Sequence, residues 1–322
     1  MLGNANFLNM KILITGANGF VGQALSLESF RRGFKVCAAV RELSTLPSYI
    51  DVVSVGHVDS GTDWSQVLKD CDVVVHLAAR AHVRDERGGD PLEAFRNVNV
   101  EGTLNLARQA AAAGVRRLIF ISSIGVNGAE TSNAPFSHLD TPAPHSPYAV
   151  SKHEAELGLQ KLAEDTGMEV VTIRPPLIYG PNAPGNFGSL MRWLMRGVPL
   201  PLGCVNQNRR SFVALDNLVD LILTCVQHPR AGNQIFLVSD GEDVSTTQLL
   251  QRMGKAMNRS VRLLPVPTGL LGLMASLLGK KGMAQSLLGS LQLDIRNTCE
   301  VLNWNPPISI DEGLRRAVGV KI

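Results

Sequence analysis

Six apolar runs in the first 175 residues are the sequence feature that most limits the possible folds. They are short, nearly free of charge, and separated by segments with helical patterns. Strands that are apolar along their whole length are typical of a parallel sheet buried on both faces, and right-handed crossovers place helices on each side of it. We therefore predict a doubly wound α/β fold. The predicted strands are residues 11–15, 34–40, 52–58, 72–77, 117–122 and 169–174, and the predicted helices are residues 20–32, 64–68, 98–114 and 151–167.

Three glycines follow the first predicted strand and open the first predicted helix, with the spacing Gly16-x-x-Gly19-x-x-Gly22. Glycine at such positions permits a tight turn, lets the backbone approach a diphosphate, and allows the helix to pack close to the sheet. The spacing differs from the usual G-x-G-x-x-G, but its place between a strand and a helix is the one that the motif requires. We therefore predict that a dinucleotide binds here.

The sequence changes character after residue 174 and is rich in proline and glycine up to residue 211. Residues 212–215 and 234–238 predict two more strands, and residues 241–322 are mostly helical. We predict a dinucleotide-binding domain at residues 10–175, to which residues 212–240 return, and a smaller substrate-binding part at residues 176–211 and 241–322. Because ligands of such sheets bind at the carboxyl ends of the strands, the site is expected between the two parts.

The end of the second strand distinguishes NAD from NADP, because an acidic residue there bonds the ribose 2′-hydroxyl of NAD. Here Arg41 follows the strand, with Glu42 after it. An arginine pairs with a 2′-phosphate. We therefore predict NADP(H), with NAD as the alternative if Glu42 or another residue meets the ribose.

Tyr148 precedes Lys152 by four residues, a spacing that places both side chains on one face of a helix. A cation close to a phenol favours the phenolate and lowers its pKa from the ordinary value of about 10. We therefore expect Tyr148 to exchange protons at neutral pH, beside a nicotinamide.

Composition excludes several classes of protein. The 322 residues are 45% hydrophobic and 18% charged, which is typical of a packed globular chain. With 31 basic and 28 acidic residues, a broad nucleic-acid surface is not expected. Five scattered cysteines and a start without a signal-peptide pattern predict a reduced, cytoplasmic protein. No histidine, cysteine or carboxylate pattern predicts a metal site.

Residues 263–279 form a charge-free stretch that contains two prolines and three glycines, and Lys280 and Lys281 follow it. Its length of 17 residues is just under the ~20 that a membrane span needs. The sequence favours a buried or partner-facing helical segment over an interfacial membrane contact, and disfavours a true span.

Together these motifs resemble the extended short-chain dehydrogenase/reductase family over nearly the whole chain. The matching segments are TGANGFVG, HLAA, NVEGT, the serine pair at 122–123, YAVSK and RPPLIYGP. The resemblance implies a Rossmann fold with a smaller, mostly helical C-terminal part, and a catalytic Ser123, Tyr148 and Lys152. Ser123 would hold the substrate oxygen, Tyr148 would transfer its proton, and Lys152 would bind the nicotinamide ribose. Asn99 matches the family's structural asparagine.

The residues predicted to contact the cofactor lie in the glycine loop, at strand ends and in the catalytic helix. Asp59 and Ser60 are expected to meet the adenine, and Leu77, Ala78 and Ala79 to lie near the ribose. The full set is Gly16, Gly19, Phe20, Val21, Gly22, Arg41, Asp59, Ser60, Leu77, Ala78, Ala79, Tyr148, Lys152 and Pro175.

Within the family, the resemblance is strongest to enzymes of nucleotide-linked sugars. Arg210 matches an arginine that binds the sugar nucleotide's diphosphate, and Asn186 with Phe187 matches a segment that contacts the nucleotide. The remaining predicted substrate residues are Arg80, His82 and Ser123. Three features depart from the usual epimerase: Leu177 stands where asparagine is common, Arg41 replaces an acid, and residues 285–292 lack the arginine-rich ribose segment.

These departures favour an NADP(H)-dependent reductase of a nucleotide-activated 4-keto sugar, such as a UDP-4-keto-6-deoxy-N-acetylhexosamine, in surface-polysaccharide (O-antigen lipopolysaccharide) synthesis. The first alternative is a 4-epimerase of a UDP-hexose or UDP-N-acetylhexosamine with tightly bound NAD. A non-catalytic, NADP-sensing protein is an alternative of another class. A homodimer without a transmembrane span is expected in each case.

Overall fold

The computed structural model describes residues 10–43, 46–81, 90–279 and 281–319. Within them, the strands are β1 Lys11–Thr15, β2 Lys35–Val40, β3 Asp51–Ser54, β4 Val73–His76, β5 Arg117–Ile121, β6 Glu169–Arg174, β7 Leu177–Tyr179, β8 Phe212–Ala214 and β9 Gln234–Leu237. The helices are α1 Phe20–Arg31, α2 Ser65–Leu68, α3 Pro91–Arg96, α4 Thr103–Ala112, α5 Pro147–Thr166, α6 Gly185–Met195, α7 Leu215–Gln227, α8 Thr246–Ala256, α9 Thr268–Leu277, α10 Lys281–Leu288, α11 Arg296–Leu302 and α12 Ile310–Ala317.

Seven parallel strands form one sheet in the order β3-β2-β1-β4-β5-β6-β9. All six strands predicted in the first half belong to it, so the prediction of a doubly wound α/β fold is confirmed. The strand order reverses between β1 and β4, the point at which ligands bind in such sheets. β9 extends the sheet beyond β6, whereas β8 pairs with β7 in a separate two-stranded sheet.

Side chains of successive residues in β1 point to opposite faces of the sheet and join two different cores. Ile12 and Ile14 pack in the core that includes Leu25 of α1 and residues of α7. Leu13 packs on the other side, with Leu106 of α4 and Leu159 of α5. A third core holds the C-terminal helices together with α6 and β8.

The helix that carries Tyr148 begins earlier than its pattern predicts. Its start is Pro147, with Ser146 as the N-cap, whose side chain accepts a hydrogen bond from the backbone N–H of Ala149. Serine followed by proline is a common helix start, because the first helical N–H needs no intrahelical partner. Tyr148 and Lys152 therefore lie one turn apart on the same helix, as their spacing predicts.

The predicted helix 98–114 is instead a composite. α3 precedes it, a π-helical turn covers Asn97–Gly102, and α4 completes it. The turn carries Asn99 in its interior, and the side chain of Asn99 is fully buried. A π-turn of this kind is frequent at functional sites.

The apolar stretch 263–279 contains α9, and none of the residues of this helix is buried. Of the two forms of the prediction, the structure does not show a buried helix, because most side chains of α9 lie at the surface, and a partner-facing helix stays a prediction. No helix in the described part of the chain is both long and apolar enough to cross a membrane.

Candidate active site

The glycine loop after β1 is packed so tightly that side chains do not fit. Gly16 has a φ of +65°, and a Cβ atom at this position would lie 2.8 Å from the backbone nitrogen of Ala78. A Cβ atom on Gly22 would lie 2.2 Å from the carbonyl oxygen of Gly16. The buried Thr15 hydroxyl accepts hydrogen bonds from the backbone N–H groups of Leu77 and Ala78, at 3.2 Å each. These contacts hold the ends of β1 and β4 side by side.

The N-terminus of α1 suits a diphosphate. Gly19 is the N-cap, no side chain caps the helix, and the first turn contains no acidic residue. The partial positive charge of the helix end and its backbone N–H groups are therefore directed at whatever lies above the loop. Phe20 and Val21 form the first turn and are half-buried. The residues present thus fit the dinucleotide that the sequence predicts.

We expect Gly22→Ala to lower the amount of nicotinamide cofactor that copurifies with the protein. The added methyl group forces the Gly16 carbonyl and the start of α1 apart, and such overpacking costs about 1–3 kcal/mol. Bound nicotinamide and thermal unfolding measure the two effects. Gly269→Ala is the matched control, because no heavy atom lies within 4 Å of its added Cβ. Equal nicotinamide content in Gly22→Ala and wild type would contradict the assignment of the loop.

Arg41 lies just beyond β2 and leaves 65% of its side chain exposed, with its Nε 4.0 Å from Glu42. Asp59 shapes the turn after β3, where its carboxylate accepts a hydrogen bond from the backbone N–H of Gly61 at 2.9 Å. Ser60 and Ala79 are exposed. The residues predicted to face the adenosine half thus lie at the carboxyl ends of β2, β3 and β4.

Lys152 is fully buried beside the central strands. Its Nζ atom lies 4.3 Å from the centroid of the Phe120 ring in β5. Burial lowers the pKa of Lys152 to about 7, although Glu156 acts in the opposite direction. An ammonium over an aromatic face is favourable, but it does not replace the lost hydration.

The pKa of Tyr148 moves against the sequence expectation, because burial raises it to about 12. The Tyr148 ring packs edge-on against Phe95 of α3, with ring centroids 6.0 Å apart. Among the hydrogen bonds of the described residues there is none between Lys152 and Tyr148. The expected lowering is therefore wrong for this arrangement, because Lys152 is directed at Phe120 and does not offset the desolvation of the phenol.

The two candidate serines differ in exposure. Ser122 is 3% exposed, whereas Ser123 is half-buried and caps a short 3₁₀ turn, where its Oγ atom accepts a hydrogen bond from the Gly125 N–H at 3.1 Å. A Cβ atom on Gly125 would lie 3.3 Å from Ser123 Oγ and 3.4 Å from the Ala149 side chain, so the serine turn and the start of α5 are in close contact. Pro175 accepts a backbone hydrogen bond from Ile124 at 3.0 Å and holds the same turn against β6.

A buried ion pair that the sequence analysis did not predict lies behind these residues. Arg174 donates to both carboxylate oxygens of Glu156, at 3.0 and 2.6 Å, and to the side-chain oxygen of Asn127 at 2.9 Å. Burial by itself raises the pKa of Glu156, but the neighbouring His153 and Arg174 side chains hold it below its ordinary value. Glu156 follows Lys152 by four residues on α5, so the spacing alone was a signal that the two interact.

His76, at the end of β4, is a second group without a predicted role. Its ring nitrogens lie 2.7 Å from the Thr15 hydroxyl and 2.9 Å from the Thr103 hydroxyl. Burial and the charge of Lys152 lower the pKa of His76 to about 3, so the imidazole is neutral. The sequence signal for this group was a histidine at the end of an apolar strand. Through the Thr15 and Thr103 hydroxyls, His76 links the end of β1 to the start of α4.

Asn99 connects three elements around the site. Its side chain accepts from the Arg80 backbone N–H at 2.9 Å, and donates to the Arg80 carbonyl at 3.1 Å and to the Ser151 hydroxyl at 3.0 Å. It therefore ties the chain after β4 to α5, as expected of a structural asparagine. The predicted His82 lies outside the described residues.

The predicted diphosphate ligand Arg210 lies in a different environment. Burial lowers its pKa, opposed by the charge of Glu130, and its Nη1 atom donates to the Gly289 carbonyl at 2.9 Å. Asn186 is exposed in the first turn of α6, and the adjacent Phe187 is buried in the third core. Ser123 thus lies just after β5, Tyr148 and Lys152 lie on α5, whose start is close to the serine turn, and Arg210 lies on the C-terminal part.

Residues 12–239 match the model of a family described as the NAD dependent epimerase/dehydratase family. A UDP-glucose 4-epimerase of Vibrio cholerae is 46% identical over 310 residues, which are 95% of this chain and 93% of the relative. An N-acetyl-alpha-D-glucosaminyl-diphospho-ditrans,octacis-undecaprenol 4-epimerase of Escherichia coli O157:H7 is 29% identical over 87% of this chain and 84% of its own length.

The fold is also that of solved structures. The UDP-glucuronic acid 4-epimerase of Bacillus cereus in complex with NAD superposes with a TM-score of 0.76 over 96% of this chain and 98% of its own, at 21% identity.

Proposed function

Because the chain belongs to the NAD-dependent epimerase/dehydratase family, we propose that it is a 4-epimerase of a UDP-hexose or UDP-N-acetylhexosamine with tightly bound NAD. The observation that carries the proposal is the 46% identity to the Vibrio cholerae UDP-glucose 4-epimerase over 95% of the chain. This reading takes precedence over the 4-keto-sugar reductase that the sequence favours.

The proposed roles follow from the chemistry of the side chains. The nicotinamide, when bound, supplies a reversible hydride acceptor for C4 of the sugar. Tyr148 takes the proton of the 4-hydroxyl as C4 is oxidised, and returns it when C4 is reduced from the other face. Ser123 donates a hydrogen bond to the same oxygen. Because burial raises the pKa of Tyr148 to about 12 while Lys152 is directed at Phe120, the proposed role of Tyr148 as a base requires Lys152 to turn towards the phenol when the dinucleotide binds.

We expect the purified protein to retain NAD and to interconvert the two C4 epimers without added cofactor. The measurements are the identity and amount of nicotinamide released by acid, and the conversion of UDP-glucose, UDP-N-acetylglucosamine and a polyprenyl-diphospho-N-acetylglucosamine. The last substrate is included because the Escherichia coli relative is named for one of this kind. An epimerase shows no net change in nicotinamide oxidation state during turnover.

A second candidate is the NADP(H)-dependent reduction of a nucleotide-activated 4-keto sugar, and one observation favours it. Arg41 lies where an acidic residue would bond the NAD ribose, and its guanidinium is mostly exposed, so a 2′-phosphate can reach it. A reductase consumes one NADPH in each turnover. Protein that purifies without nicotinamide and oxidises NADPH only with a UDP-4-keto-6-deoxy sugar would overturn the epimerase proposal and support this one.

A further inference from the structure

The helical hairpin α9–α10 presents an unusual apolar surface. α9 packs against α10, yet it has no buried residue and no charge. Leu273 is 58% exposed and Leu277 is 79% exposed. Scattered single apolar side chains are normal on the surface of a soluble protein, whereas a contiguous group of exposed apolar side chains marks a contact surface.

The surface continues onto the end of α6. Leu200 pairs with residues 262–264 through two backbone hydrogen bonds, and Arg259 donates to the Met195 carbonyl at 2.6 Å. Leu271 joins the same core as Leu194. We call the whole set the apolar face, which comprises Trp193, Met195, Val198, Leu264, Leu270, Leu273, Met274, Leu277 and Leu278.

Basic residues are frequent in the segments that form the apolar face. Residues 244–293 contain six basic and no acidic residues, although the whole chain has a net charge of only +3. Arg252 is paired with Glu242, whereas the side chains of Lys255, Arg259 and Arg262 are exposed. Arg192 in α6 and Arg196 at its C-cap flank Trp193 and are also exposed. This combination of apolar side chains, an interfacial tryptophan and a basic rim matches an anionic phospholipid surface.

Self-association fits the charges less well. In a two-fold dimer built on the apolar face, the same patch of each subunit would meet its copy. The two basic segments would then face each other and repel. A nucleic acid would be drawn to the basic residues, but it would leave the leucines and methionines without partners. A membrane satisfies both kinds of group at once.

We propose that the apolar face docks the enzyme onto a bilayer rich in anionic phospholipid, with α9 lying in the interface. At ten residues α9 is about 15 Å long, half the thickness of the hydrocarbon core, so it lies on the membrane. The proposal is independent of which sugar reaction the enzyme catalyses.

The test is flotation of the purified full-length protein with two kinds of vesicle. One kind contains phosphatidylethanolamine and phosphatidylglycerol, and the other contains phosphatidylcholine alone. We expect binding to the phosphatidylglycerol vesicles to be at least about tenfold stronger, and to weaken as salt is raised. The double variant Leu273→Glu/Leu277→Glu should stay in the soluble fraction while it keeps wild-type activity on soluble UDP-sugars.

Two further variants make the test specific. Leu139→Glu alters a leucine that is 81% exposed but lies outside the apolar face, so it should float like the wild type. Lys255→Glu/Arg262→Glu keeps the apolar face and reverses two charges of the rim, so it should lose the preference for phosphatidylglycerol. Wild-type protein that floats with neither vesicle would overturn the proposal. A second result would also overturn it: the wild-type protein floats with neither vesicle and is a dimer, and Leu273→Glu/Leu277→Glu converts this dimer to monomers. The apolar face would then join two copies of the chain.

Discussion

Tyr148→Phe is expected to lower the turnover number by about 100- to 10,000-fold, the usual contribution of a positioned proton-transfer group. Phenylalanine keeps the edge-on contact with Phe95 and removes only the hydroxyl. The fold and the amount of retained nicotinamide should therefore not change. The measurement is the rate of sugar interconversion at saturating substrate, together with the nicotinamide content of the purified variant.

Tyr49→Phe is the matched control for this substitution. Tyr49 is 53% exposed and packs against Phe30 with the two rings tilted, far from the candidate site in the fold, so removal of its hydroxyl should leave turnover unchanged. If Tyr148→Phe also kept the wild-type rate, the proposed serine, tyrosine and lysine site would be wrong. The reading of the chain as a non-catalytic NADP-sensing protein would gain if the wild-type protein itself converted no sugar nucleotide.

Arg174→Ala is expected to destabilise the protein by about 3–5 kcal/mol, because it leaves the buried Glu156 carboxylate without its partner. Arg174 is 2% exposed and Glu156 is 7% exposed, so water reaches neither group easily. Chemical denaturation at neutral pH measures the loss. Because Glu156 lies one turn from Lys152, the variant should also shift the pH dependence of turnover.

The double variant Glu156→Leu/Arg174→Met distinguishes the cost of an unpaired buried charge from the cost of lost packing. With both charges removed, the loss of stability should be well below that of Arg174→Ala, because no unpaired ion remains. Equal losses in the two variants would contradict the assignment of the effect to the ion pair. The folded protein holds the pKa of Glu156 below its ordinary value, so the contribution of the pair is present above about pH 4.3 and is lost as the pH falls through the folded-state pKa.

The large sheet could be predicted because each of its central strands is mostly apolar. β1 and β6 begin and end where the pattern predicts, because their charged residues stand only at the strand ends, at Lys11, Glu169 and Arg174. α6 was less evident, because its segment is rich in proline and glycine and its helix starts without a side-chain cap. β7 is only three residues long, too short for a periodic pattern.

The sequence predicts which residues form the candidate site, but it does not predict their electrostatics. The spacing of Tyr148 and Lys152 fixes which face of the helix they share. The direction of the Lys152 side chain depends on Phe120 in β5, which is distant in the sequence and adjacent only in the folded sheet. The pairing of Glu156 with Arg174 also joins a helix to a strand, and no local pattern indicates such a contact.

The π-helical turn Asn97–Gly102 gives this part of the chain one residue more than a regular helix would hold. The widened turn absorbs the extra residue, so α3 and α4 keep nearly the relative rotation of one continuous α-helix. Removal of one residue from the turn would therefore leave Phe95 against Tyr148. It would remove the widened backbone that carries Asn99, whose side chain bonds the Arg80 backbone and the Ser151 hydroxyl. A deletion here should therefore leave α3 in place and break the link between the chain after β4 and α5.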